Sequence, residues 1–228
     1  IIKEGKFTFR GRPRAADEAE ASLRLDATNF QWEARQWDSL VFGATLLNRM
    51  VQVHECDLRQ GANQLSLAGE LALPEPGESW WKGMFDFRVR GSIKNLTELS
   101  ALLLPEFKYA AGEIAINGTV RGRNQQFNGL LMVSGSDLAW RTAPIEKLAA
   151  DVRFMGSSIE VTRLELVNGG DFVRGQGILQ LGEQPKYAGQ LRASVVDLPI
   201  YQALLHPPIL PEPLAGGAVI DWTGQGSG

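Results

Sequence analysis

Apolar and polar residues take turns along most of this chain with a period of two. The alternation is clearest over residues 130–181, through Leu131 and Val133 and then Leu148, Ala150, Val152 and Phe154. It resumes at Ile159 and Val161, at Leu164 and Leu166, and at Val173, Gly175, Gly177, Leu179 and Leu181. That period puts every one of those side chains on the same face of an extended strand. The runs are separated by Ala-Pro, Gly-Ser and Asn-Gly-Gly, which are turn formers. The stretch therefore predicts four consecutive antiparallel strands with one apolar and one polar face.

The same stretch occurs 108 positions earlier, with no gap. Trp140 falls on Trp32, Leu148 on Leu40, Phe154 on Leu46, Val161 on Val53, Leu166 on Leu58, Gly169 on Gly61 and Gly177 on Gly69. Inward positions of the earlier copy include Leu23, Leu25, Phe42, Leu46, Val51, Val53, Leu65, Leu67 and Leu71. Even the interruptions agree. Alternation slips between Val161 and Leu164, and likewise between Val53 and Cys56. One extra residue that shifts the face is the mark of a β-bulge. A shared pattern with a shared defect is a tandem repeat.

In chain order, residues 1–20 read as the end of a preceding repeat, with Phe7 to Arg10 the tail of its strand, and a charged loop from Arg12 to Glu20. The first repeat, 21–122, predicts strands near 21–32, 40–47, 50–58 and 65–73, then a fifth through Phe85, Phe87 and Val89. A helix near 96–103 follows, with Asn95 as N-cap, Glu98 in the first turn and Pro105 as its stop. The strand at 111–122 then returns to the sheet. The second repeat, 123–228, places its helix near 199–205, opened by Asp197 and Pro199, carrying Tyr201, Leu204 and Leu205 and ended by Pro207, with a returning strand at 215–226. Each repeat is thus about six strands and one short helix. Six strands side by side advance roughly 29 Å. A sheet so long must curl on itself, pack as a sandwich, or cover a guest.

Composition narrows the function. With 228 residues, 44% apolar, 21% charged and a net charge of -3, the chain reads as a globular protein without the basic face that phosphate backbones require, so no nucleic-acid partner is expected. Its one cysteine, Cys56, forms no internal disulfide and falls on the apolar face. No segment supplies the roughly 20 apolar residues of a membrane helix. The abrupt ends suggest a piece of a longer protein whose anchor lies elsewhere. His54 and His206 lack ligand-spaced neighbours, Gly175-Gln-Gly177 lacks the third glycine of a dinucleotide loop, and Asp151, Glu160 and Glu165 read as solvated strand residues. No catalytic constellation, cofactor or metal is therefore expected. Trp32 and Trp140 read as packing anchors, and Trp80 and Trp81 as a loop tucked over the sheet.

The runs Gly112-Glu-Ile-Ala-Ile-Asn-Gly-Thr-Val-Arg-Gly122 and Phe127-Asn-Gly-Leu-Leu-Met-Val-Ser-Gly135 are similar to sequences of AsmA-like and TamB-like proteins. So are Ala143-Pro-Ile-Glu-Lys-Leu-Ala-Ala-Asp-Val-Arg-Phe154 and Gly175-Gln-Gly-Ile-Leu-Gln-Leu181. These are large envelope proteins of Gram-negative bacteria, related to the chorein-type bridge-like lipid transfer proteins. The resemblance covers most of the chain and implies a mainly β fold, an elongated antiparallel sheet curled into a taco-shaped groove. It also implies an inner-membrane anchor outside this chain, a periplasmic location, and carriage of phospholipid towards the outer membrane. For TamB-like members it implies a role in assembling outer-membrane β-barrel proteins.

A conduit for lipid needs featureless apolar walls. Exposing an acyl chain to water costs roughly 0.8 kcal/mol per methylene, whereas moving it from bilayer to groove changes its surroundings little. On this reading the lining comprises the inward positions of both copies named above, together with Phe85 and Phe87. The same alternation also fits a dry sandwich core about 10 Å thick. Scaffolding of outer-membrane proteins through sheet edges and a purely structural β-repeat rod are the other readings that the residues allow.

Overall fold

A computed structural model describes residues 1–12, 18–32, 35–75, 78, 82–98, 110–124, 126–141, 143–182, 184–204 and 215–227. Among them are thirteen strands: β1 (Ile2–Arg10), β2 (Glu20–Trp32), β3 (Arg35–Leu47), β4 (Met50–Gln60), β5 (Asn63–Ala72), β6 (Phe85–Ile93) and β7 (Ala110–Arg123), followed by β8 (Gln126–Trp140), β9 (Ala143–Gly156), β10 (Ser158–Asn168), β11 (Asp171–Gln180), β12 (Lys186–Val195) and β13 (Ala218–Ser227). They form one antiparallel sheet in simple chain order, not closed into a barrel. Each strand pairs with its sequence neighbour; tight turns bring many consecutive strands back on themselves, while longer links join β1 to β2, β5 to β6, β6 to β7 and β12 to β13. The chain divides into two compact units, Ile1–Ile93 with Asn117–Gly129, and Lys94–Ile116 with Leu130–Gly228.

The alternation lapses become bulges at matching places. In the first unit Val53 faces Ala44 while Glu55 faces Gly43, so His54 is the extra residue against β3. In the second unit Val161 faces Val152 while Arg163 faces Asp151, which leaves Thr162 over. Thr162 Oγ1 turns back to donate to the Asp151 carbonyl at 3.2 Å. Turns recur too. Gly61 and Gly169 both sit at φ 55°, the left-handed region where a Cβ is strained and glycine is at ease. Asn29 and Asp137, again 108 apart, both adopt positive φ (48° and 52°) inside strands β2 and β8.

The helices are slighter than the spacing of apolar residues predicts. In the second unit the segment Leu198–Leu204 is a 3₁₀ helix rather than an α-helix. So short a run offers too few i→i−4 hydrogen bonds to offset α-helix nucleation. Near the first predicted helix, residues 96–98 are helical and the Glu98 amide donates to Asn95 Oδ1 at 3.4 Å, as an N-cap requires. Residues 99–105, Leu205, His206 and Pro207 lie outside the described residues, as do Trp80 and Trp81. No described helix is long and apolar enough to cross a membrane.

Candidate functional site

Strand register decides which side chains share a face, and it gathers the predicted lining into rows. In the first unit Phe7 faces Leu23, Leu23 faces Ala44, Ala44 faces Val53, Val53 faces Gly69 and Gly69 faces Phe87. One step along, Ala21, Leu46, Val51, Leu71 and Phe85 form a second row across β2 to β6. Leu25, Phe42 and Cys56 begin a third row, and Leu67 is paired with Val89. A fourth runs Ala27, Leu40, Leu58, Leu65 and Gly91. The second unit repeats the arrangement. Phe154, Ile159, Leu179 and Tyr187 are opposite one another, as are Val152, Val161, Gly177, Gly189 and Gly224. Next come Ala150, Leu164, Gly175, Leu191 and Trp222, and then Leu148, Leu166, Val173, Ala193 and Ile220. Leu131 and Val133 lie on the more sheltered face of β8, between exposed neighbours. Leu181 is placed just after β11, where its amide donates to the Ser157 carbonyl at 2.7 Å.

None of these predicted lining residues is buried. Leu23 and Leu179 are exposed at 40% and 37%, and the others are half-buried. Among the described residues, the buried apolar set consists of Ala19, Ala27, Trp37, Ile93, Ala110, Leu138, Ala143 and Ala193, mostly small side chains. The buried aromatic of the second strand pair is thus Trp37, which the pattern did not single out; Trp140 is half-buried, and the side chain of Trp32 lies outside the described residues. At the β13 end of the face, aromatic rings cover two glycines. A side chain added at Gly224 would overlap the Trp222 ring, and one at Gly226 would meet Tyr187.

The opposite face carries charge. Glu165 accepts from Arg163 at 2.6 Å and from Arg174 at 3.1 Å, and the hydrogen bond from Arg163 is the main reason its carboxyl is held below the usual range. Arg153 pairs with Glu160 and Arg192 with Asp221, at 3.7 and 3.9 Å. His54 stands 3.0 Å from Thr45 Oγ1, and no cluster of three metal-ligating side chains occurs among the described residues.

At one end of the second unit's apolar face a polar knot holds the 3₁₀ helix. Asp171 is buried and accepts from the Val196 amide at 2.7 Å and from the Tyr201 hydroxyl at 2.8 Å. The Tyr201 oxygen accepts in turn from Asn168 Nδ2 at 3.0 Å. Burial, then the bond to Asp171 and its charge, pushes the Tyr201 hydroxyl above its ordinary value, against the lowering effect of Asn168. In the first repeat the position of Asp171 is held by Asn63, which is also buried. On the apolar face Cys56 likewise titrates high, chiefly because burial disfavours the thiolate, with the Asp57 charge adding to it. No family model, curated protein or solved structure matches this chain.

Proposed function

We propose that this chain is a segment of a periplasmic envelope protein whose sheet curls into a groove and shields phospholipid acyl chains on their way between inner and outer membranes. One observation carries the reading: most of the apolar rows cross five or more strands in register, yet every predicted lining residue keeps part of its surface accessible. A contiguous apolar face of that kind is expensive to leave in water and marks a surface that meets something apolar. The rows also offer no convergent polar clamp, which suits a carrier that must let its cargo slide. The parent protein is anchored through parts outside this chain, and no cofactor takes part.

Mass spectrometry of the protein recovered from a Gram-negative host is the direct test. Phospholipid is expected in stoichiometric or greater amount, and a preparation free of it would sink the proposal. A second reading, strand addition to an outer-membrane β-barrel protein, draws support from β1. All nine of its residues are exposed, with Phe7 at 66%. Proline placed in β1 where the amide points away from β2 should then abolish partner capture while leaving the lipid in place.

A further inference from the structure

The second unit's apolar face contains a hollow of about 330 Å³ whose wall is almost entirely carbon. Its floor is the row Leu166, Val173, Ala193 and Ile220, with Leu191 beside it. Asn168, Asp171 and Tyr201 stand at its end. Those three side chains turn their hydrogen bonds on one another and on the Val196 amide. A charged or strongly polar guest entering here would give up hydration and gain little in return, whereas a hydrocarbon would give up nothing.

We propose that this hollow is a blind end that takes the terminal stretch of a single aliphatic chain, an inference that rests on the acyl-chain reading of the face. Its volume is about twice that of a 150 Å³ cavity able to admit benzene, which corresponds to on the order of ten carbons. The first repeat carries bulkier residues at three matching positions. Trp37 and Leu65 stand where the second has Ile145 and Val173. Ile93 matches Val195 because Gly91 faces Leu65 as Ala193 faces Val173, the link before this strand being six residues shorter in the second repeat. Both Trp37 and Ile93 are buried. Gly91, Val89 and Leu99, where the second repeat has Ala193, Leu191 and Tyr201, are steps the other way. The bulk at the Ile145, Val173 and Val195 positions is thus a difference between the repeats that a variant can transplant.

Straight-chain alcohols from hexanol to hexadecanol, titrated against bound 1-aminoanthracene, test the proposal on the intact chain. Affinity should tighten about fourfold per added methylene and then level off near ten carbons. A rise that continues through hexadecanol, or no saturable displacement at all, overturns the blind end. The triple variant Ile145→Trp, Val173→Leu, Val195→Ile brings in side chains that the first repeat already accommodates, and should weaken decanol at least tenfold. Unchanged decanol binding in a folded triple variant also overturns the proposal. Should that variant fail to fold, Ile220→Phe at the exposed end of that floor row applies the same criterion. Co-purified phospholipid separates this inference from the broader one. A chain-length plateau without any phospholipid keeps the hollow and removes the carriage, and phospholipid without a plateau does the reverse.

Discussion

Cys56 stands opposite Phe42 on the apolar face, and it is the only thiol in the chain. Its raised pKa makes it a slow nucleophile at neutral pH. The rate of alkylation by iodoacetamide should therefore still be climbing at pH values where an ordinary thiol, near 8.5, is already levelling off. Added phospholipid vesicles should slow the reaction further if acyl chains cover that face. Tyr201 gives a second pH signature. Its folded-state pKa is raised, so folding favours the protonated phenol. That contribution is intact below the unfolded value of about 10 and is lost as pH rises through the folded value. Alkaline melts should show the native chain losing stability above about pH 10 more steeply than Tyr201→Phe. The face of Cys56 could be read from alternation alone. The partner of Tyr201 could not, because Asp171 lies 30 positions away and a side-chain bond over that distance leaves no mark on periodicity.

Strands were the legible elements because a period of two, broken by turn residues, specifies both a strand and its face. The bulges were legible for the same reason, as defects in that period repeated 108 residues apart. Helices were not, since four or five apolar residues at helical spacing fit an α-turn, a 3₁₀ turn or a loop equally well. Propensity decides little over so short a run. The bulge in β10 makes a prediction that intuition about deletions would reverse. Val161 and Leu164 share a face while Thr162 is the surplus residue between them. Deleting Thr162 restores uninterrupted alternation and forfeits only its hydroxyl bond to the Asp151 carbonyl, so a loss of a few degrees in Tm is expected. Deleting Gln176 on the neighbouring strand flips Gly177 and Leu179 to the wet face and Ile178 to the apolar one, against β10 and β12 together. Circular dichroism should then find the cooperative transition of the unit gone. Equal tolerance of the two deletions would mean that register is not what the alternation enforces.

For the molecule as a whole, the sequence left a sandwich and a groove equally allowed, because alternation reports which side chains share a face and not what that face meets. Exposure speaks to the choice. A dry core of two opposed sheets would bury large side chains completely, yet among the described residues no large side chain is fully enclosed. Charge placed on the face turns this into an experiment in which the two readings predict opposite results. In a closed core, Val152→Asp or Leu179→Asp would bury an unpaired carboxylate. The penalty would be several kcal/mol, enough to unfold a domain of ordinary stability. On an open face the carboxylate keeps its water, so Tm should move by only a few degrees. Leu179, exposed at 37%, is the more tolerant of the two positions. The acyl chain is what the charge would then exclude, and phospholipid recovered with either variant should fall severalfold. Folded variants that have lost their lipid fit a carrier, and unfolded ones fit a core. Folded variants with undiminished lipid would place the bound lipid somewhere other than on these rows.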